Sequence, residues 1–288
     1  MIFDGHIHQH YAYPDDPAEF LKTNANCGIS GGNVLSEKPK KRIGCGEGDY
    51  RWQARLEKVL KFTAQTPGFY PFFWIDPLAA DAEEQVKSAV EQGIAGFKII
   101  CDEFYPCDTL RTCSIIGETG KPLMFHSGIL CGSRDLLCGK FNKPLEFECL
   151  FAVKGLKFSL AHVGWPWVDD YMAMVAKASF TYDPDFGNEM FFDITPGTPG
   201  INRADALRKL YLTGYNVKHR VLWGTDAVTG DSPEFLPKFW LKQDKEIMEQ
   251  IEKDAALAML PHMTEAPDLS GIFELATGEN YKRFLGIK

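Results

Sequence analysis

Two histidines one residue apart, His6 and His8 in Phe3-Asp4-Gly5-His6-Ile7-His8, are the first residues whose types and spacing suit chemistry. On a strand, side chains repeat every two residues, so both imidazoles leave one face about 6–7 Å apart along the chain and can converge on one metal ion. On a helix the pair would be turned about 200° apart and could not share a ligand sphere. The pair therefore requires a strand, which Ile2 and Phe3 permit. A His-x-His alone also fits an unremarkable surface strand. Further along, Lys98 in Gly-Phe-Lys-Ile-Ile, His126 in Leu-Met-Phe-His-Ser-Gly, His162 in Leu-Ala-His-Val-Gly and Asp226 in Trp-Gly-Thr-Asp-Ala each close an apolar run. Four of the 7 histidines, His6, His8, His126 and His162, belong to this set.

The elements that must position these residues alternate along the chain. After the first strand, Asp15-Asp16-Pro17 opens a helix through Leu21 that Gly28 stops, and Ile29 to Leu35 reads as a second strand. Ser36 to Asp49 is charged, glycine-rich and too long for an ordinary connection, which marks it as a lid loop, 36–49. A helix bearing Trp52, Leu56, Val59 and Leu60 precedes a strand from Phe69 to Ile75. Asp81 and Glu84 form a capping pair ahead of Val86, Ala89 and Val90, and a strand runs from Ile94 to Ile100. The alternation continues with helices at Leu110–Ile116 (the weakest), Pro144–Val153 and Val168–Ala178, and a helix capped by Asn202 and carrying Leu207, Leu210 and Tyr211. Strands lie at Pro122–His126, Leu156–His162, Met190–Ile194 and Arg220–Trp223, and Phe235–Ile251 supplies a last helix. Eight strands alternating with helices over about 250 residues predict a (β/α)8 TIM barrel of the α/β class. A doubly wound open sheet is the alternative, but no Gly-x-Gly-x-x-Gly follows the first strand. In a barrel the C-terminal strand ends converge, which unites His6, His8, Lys98, His126, His162 and Asp226.

With 288 residues, 45 % of them hydrophobic, the chain reads as a single domain over 1–288 with a substantial core. Its net charge of −8, with Lys38, Lys40, Lys41 and Arg42 as its only basic run, argues against nucleic acid as a partner and makes that run a solvated loop. No stretch of about 18 apolar residues marks a membrane span, and no basic-then-apolar leader precedes the first strand, so the expected location is the cytoplasm. The 8 cysteines contain no Cys-x-x-Cys and read as reduced thiols, Cys101 and Cys131 among them.

Taken together, the His-x-His of the first strand, the histidines closing strands five and six and the aspartate closing strand eight resemble the amidohydrolase superfamily. The likeness is to its amidohydrolase-related branch of metal-dependent hydrolases with a TIM-barrel fold, and it runs from Asp4 to Gly278-Glu279-Asn280. The resemblance implies one divalent metal held by His6, His8, His126 and Asp226, with His162 beside the water or substrate. Zinc suits imidazoles and a carboxylate and lowers the pKa of a bound water to about 7; iron, manganese and cobalt fit almost as well. Asp226 would carry the proton of the attacking water, and His162 would polarise a carbonyl. Lys98 divides the reading: as a free cation it would meet a substrate carboxylate, whereas carbamylated it would bridge two metals.

His10 continues the face of His6 and His8 and is expected to contact substrate. Tyr105, Arg134, Trp165, Trp167 and Arg203, in the loops after strands four to seven, would form an aromatic pocket with a cationic clamp. His219 and His262 read as structural. The expected partner is a small molecule, possibly a carboxylate, and a homo-oligomer is left open. The leading activity is hydrolysis of an amide or lactone. The branch also contains lactone hydrolases and decarboxylases such as the aminocarboxymuconate-semialdehyde decarboxylase group, so non-oxidative decarboxylation of a small unsaturated or aromatic acid is the alternative. A barrel that keeps metal only as a structural element, or a binding protein, is a third reading, opposed by the open coordination position and the long 36–49 loop.

Overall fold

The computed structural model describes residues 1–43, 45–131, 137–231 and 233–287. Short runs of apolar and β-branched residues form nine parallel strands: β1 (Ile2–His8), β2 (Ile29–Leu35), β3 (Phe69–Trp74), β4 (Gly96–Ile99), β5 (Leu123–Phe125), β6 (Lys157–Leu160), β7 (Glu189–Asp193), β8 (Val221–Leu222) and β9 (Ala227–Val228). Each strand from β1 to β7 pairs with the next in chain order, and β9 pairs with the free edge of β1. β8 and β9 are two halves of one segment, broken at Trp223-Gly224-Thr225-Asp226, and within the break the Gly5 amide donates to the Trp223 carbonyl at 3.1 Å. The sheet thus begins and ends on residues 221–228 and curls onto itself as a TIM-barrel fold.

Helices α1 (Pro17–Asn26), α2 (Trp52–Thr63), α3 (Ala82–Glu91), α4 (Leu110–Thr119), α5 (Val168–Phe180), α6 (Gly200–Tyr211) and α7 (Phe235–Lys253) surround it. α1 starts as its sequence dictates, with Pro17 in the first turn and the Asp16 carboxylate accepting from the Ala18 and Glu19 amides. Three local expectations are corrected. Pro144–Ala152 is a 3₁₀ helix, and its buried residues Pro144, Phe147 and Leu150 recur every third position, the period of that helix. Asp81 makes no cap; its carboxylate accepts instead from Trp52 Nε1 at 2.9 Å and Gln85 Nε2 at 2.8 Å. Asn202 lies inside α6, which opens at Gly200 after Pro199.

The barrel interior holds Phe3, Leu35, Phe72, Met124, Phe191 and Leu222, joined by Tyr281 and Phe284 of α9 (Asn280–Leu285), the last element after α8 (Ile272–Glu274) and a π turn. α9 packs at the strand starts, where Arg283 pairs with Glu189, the first residue of β7, and Asn280 Nδ2 donates to the Lys218 carbonyl at 3.0 Å. The barrel is therefore plugged with aromatic rings at its N-terminal end, leaving the opposite end for chemistry. Gly5 makes room for the plug: a Cβ there would lie 1.5 Å from Tyr281 Oη, whose proton is donated to the Trp223 carbonyl at 2.6 Å. Among the described residues no helix is long and apolar enough to cross a membrane, and all eight cysteines are free.

Candidate metal centre

The register of β1 slips between Asp4 and Ile7, and Asp4 ties this irregular stretch to the break in the eighth strand. Its carboxylate accepts from the His6 amide at 3.2 Å, the Thr225 amide at 2.9 Å and the Thr225 hydroxyl at 2.5 Å. Burial pushes the Asp4 carboxyl up to about 7 against the pull of these hydrogen bonds. Gly224 lets the break approach β1 closely, since a Cβ there would lie 2.8 Å from His6 Cβ and 2.7 Å from Thr195 Oγ1. Asp226 emerges with φ at 60°, and His162 likewise at 63°. Left-handed backbone at non-glycine residues costs about 1–3 kcal/mol each and persists only where its surroundings impose it. Here both residues carry the side chains that reach the cavity.

His6 is held from behind. Its Nδ1 lies 3.1 Å from Asp193 Oδ2, while Asp193 Oδ1 accepts from the Thr195 amide at 2.7 Å. A carboxylate only accepts, so the His6 proton resides on Nδ1 and the Nε2 lone pair faces the cavity. That Nε2 lies 3.2 Å from His8 Nε2 and 3.7 Å from Asp226 Oδ1, and His8 Nε2 lies 3.3 Å from Asp226 Oδ1. His6, His8 and Asp226 are the group of potential ligands that converges among the described residues. Lys98 Nζ reaches His6 Nε2 at 3.3 Å. His162 and His126 stand on the adjoining wall with ring centroids 4.9 Å apart, and the His162 and His6 rings are 5.4 Å apart. The His162 Nδ1 proton is directed at the Thr195 carbonyl, 3.3 Å away. His6, His8, Lys98, His126, His162 and Asp226 all line one cavity of about 280 Å³.

The set fits a divalent transition ion. Two imidazole nitrogens and a carboxylate oxygen within 3.2–3.7 Å of one another satisfy themselves only through a shared cation or proton, and His126 Nε2 is buried with no hydrogen-bond partner among the described residues. Burial pushes His6 down to about 3, with the Lys98 charge adding to it, and pushes His8 and His126 down as well, so these rings are neutral and present lone pairs. Desolvation by the surrounding side chains would raise Asp226, but its interaction with His8 outweighs that and holds it well below the carboxylate range. Burial lowers Lys98 to about 8 despite the charges of Asp193 and Asp226.

The other expected site residues divide. His10 lines the cavity, its Nδ1 accepting from the Ala12 amide at 3.2 Å. Of the expected lid loop, Glu37, Lys38, Pro39, Lys40 and Arg42 line the cavity, and Arg42 pairs with Asp102 at 2.7 Å in the loop after β4. Lys40 and Lys41 of the basic run are exposed, as a solvated loop would have them, while Arg42 anchors the run through its shielded pair with Asp102. Tyr105 and Trp165 do not line the cavity; Tyr105 packs edge-on against Phe141 and the Trp165 carbonyl accepts from the Ile129 amide. Trp167 is also outside it, beneath the Lys143 ammonium. Arg134 lies outside the described residues.

Arg203 is no clamp. It is fully buried between α6 and α7, donating to both Asp244 oxygens at 2.8 and 2.7 Å, and Asp244 also accepts from Trp223 Nε1. Its helix position, read as a loop position, turned it toward the neighbouring helix. Removing one partner of a buried ion pair strands the other, so Arg203→Ala is expected to lower stability by about 3–5 kcal/mol in denaturant unfolding. A variant of wild-type stability with weakened substrate binding would reverse that assignment.

Sequence reasoning passed over Asp193, although it closes strand seven in Phe-Phe-Asp-Ile-Thr; applying the strand-end rule to that strand finds it. Asp4, Gln9 and Glu37 carried no such signal. Asp4 acts through a break two hundred residues away, and Gln9 and Glu37 are informative only because they are buried in the cavity wall.

Comparison with known proteins supports the same end point. A family model described as amidohydrolase matches residues 7–261. A presumed metal-dependent hydrolase from Lactobacillus casei ATCC 334 superposes with a TM-score of 0.56 at 13 % identity, covering 99 % of this chain and 96 % of that one. A presumed 2-pyrone-4,6-dicarboxylic acid hydrolase from Pseudomonas putida does so with a TM-score of 0.57 at 12 % identity, covering 99 % and 97 %. A search of curated proteins found no match. At these identities the superpositions speak for the fold alone, but the family match spans most of the barrel and begins within the histidine pair: the chain belongs to the amidohydrolase family.

Proposed function

We propose that the protein is a metal-dependent hydrolase that cleaves an amide or lactone of a small molecule in the cavity at the C-terminal end of the barrel. The observation that carries this reading is the convergence of His6, His8 and Asp226, with His6 oriented by Asp193, on one wall of that cavity. The amidohydrolase family match supports it, and one fold neighbour is named as a 2-pyrone-4,6-dicarboxylic acid hydrolase. His6, His8 and Asp226 would hold one divalent ion, zinc foremost, with His126 completing the set; the ion would supply a Lewis acid and a water of lowered pKa.

Asp226 accepts the proton of the attacking water and returns it to the leaving group, a role open to it because its side chain is 40 % accessible from the cavity. His162 has its Nδ1 proton committed to the Thr195 carbonyl, so its Nε2 polarises a substrate carbonyl only as the imidazolium and accepts a proton as the neutral ring. Lys98, buried at the cavity floor, meets a carboxylate of the substrate, and His10 contacts the part nearer the mouth.

The test is a panel of lactones, amides and unsaturated or aromatic carboxylic acids, incubated with metal-loaded protein in ¹⁸O-water. Hydrolysis places ¹⁸O in a product carboxylate and releases no carbon dioxide. Carbon dioxide release from an acid without ¹⁸O incorporation would establish the decarboxylase reading instead.

A further inference from the structure

We propose that the Glu37 carboxyl and the Gln9 side-chain oxygen form a recognition subsite that accepts hydrogen bonds from a hydroxyl or amino group of the substrate. The proposal rests on reading the cavity as the substrate site. β1 and β2 run side by side with His8 opposite Leu35, and the Gln9 amide donates to the Leu35 carbonyl at 2.9 Å. Gln9 and Glu37 therefore leave adjacent strand ends together, and both line the cavity that His8 and His10 line.

Each is buried, Gln9 at 2 % and Glu37 at 1 % exposure. Gln9 Nε2 donates to Asp15 Oδ2 at 3.0 Å, and Asp15 is itself held by Lys58 at 3.1 Å and by the Thr229 hydroxyl. Because a carboxylate accepts only, Asp15 fixes which way the Gln9 amide points, and the oxygen is what remains. Among the described residues, that oxygen and both carboxyl oxygens of Glu37 have no hydrogen-bond partner in full hydrogen-bonding geometry. Burial pushes the Glu37 carboxyl up to about 7; the Lys58 and Lys38 charges and weak backbone hydrogen bonds from the Tyr11 and Lys38 amides oppose this, but those amides fall short of full hydrogen-bonding geometry.

Buried acceptors left unmade are costly, and for packing alone a leucine and a methionine would serve better. Three unmet acceptor oxygens on one wall of a cavity are complementary to a ligand that brings donors. A site of this kind discriminates strongly against the analogue that lacks the donor, since that analogue leaves the acceptors buried and unpaired.

The experiment measures dissociation constants by titration calorimetry on the full-length, metal-loaded protein. The probes are two matched sets: benzoate with 3-hydroxybenzoate and 3-aminobenzoate, and succinate with malate and aspartate. The donor-bearing member of at least one set is expected to bind wild type about tenfold tighter than its parent acid. That ratio should fall to near one in Glu37→Leu and in Gln9→Met. Glu37→Leu removes a buried carboxyl and loses no hydrogen bond of full geometry, so it should melt at or above the wild-type temperature. If it fails to fold, the isosteric Glu37→Gln carries the same comparison, with the ratio expected to drop at least about threefold.

Equal affinities for parent and donor-bearing probes in wild type would overturn the proposal. So would a ratio unchanged in the variants, including the case in which Glu37→Leu melts lower and discriminates as before, which would make Glu37 structural. Turnover is not read here. A wild type that discriminates but hydrolyses nothing in ¹⁸O-water would keep the subsite and remove the hydrolase reading, so the two failures are distinct.

Discussion

Replacing His6 and His8 together by alanine is expected to abolish tight binding of a divalent transition metal and, with it, turnover. Elemental analysis after gel filtration should find about one ion per wild-type chain and essentially none in the double variant, an affinity loss of roughly 10²-fold or more. The reason is geometric: the His6, His8 and Asp226 ligand atoms converge, and removing two of the three leaves one carboxylate. Unchanged metal content would show that the ion sits elsewhere. The same titration settles Lys98. A free ammonium 3.3 Å from His6 Nε2 repels a further cation by about 4 kcal/mol per unit charge at 4 Å and an effective dielectric of 20. Saturation should therefore stay near one ion, with bicarbonate adding nothing. The competing arrangement draws on the same burial that lowers Lys98 to about 8, since the neutral amine is the form that takes up carbon dioxide, and on the adjacent His126 and His162 rings as further ligands. Two ions per chain, lost in Lys98→Ala and restored by short carboxylic acids, would establish that bridge.

Asp226→Asn should lower kcat by about 10² or more while most of the metal stays bound. Asparagine keeps the size and one oxygen for the ion but cannot accept the proton. Asp226 is suited to be the carrier because its interaction with His8 keeps it ionised against desolvation, and because the left-handed backbone at φ 60° turns it into the cavity. The backbone anchor, Asp4 to Thr225, is untouched by the substitution, so folding should be preserved. Steady-state rates and metal content measured on the same preparation check this. A variant with wild-type kcat would remove Asp226 from proton transfer and leave it as a ligand only.

Much of this was legible along the chain because two periodicities and a topological rule are local. Alternation of short apolar runs with helical spacing is enough to count eight strand positions, and the strand-end rule then gathers His6, His8, Lys98, His126, His162 and Asp226 without any coordinates. The exceptions are equally physical. Arg203 and Asp244 are 41 residues apart, and only the packing of α6 on α7 makes them a pair. Asp81 has the spacing of a cap, yet the Trp52 indole competes for its carboxylate.

The sequence by itself determined that a barrel would form and that imidazoles and a carboxylate would stand at one end of it, since residue type and period decide both. Only the tertiary structure decided which of those groups touch, that Asp193 sets the His6 tautomer, that the eighth strand breaks so Asp226 can turn inward, and that the side-chain oxygens of Glu37 and Gln9 are buried with their acceptor capacity unmet among the described residues. Those features depend on distances and burial between segments up to two hundred residues apart, and no local pattern encodes them.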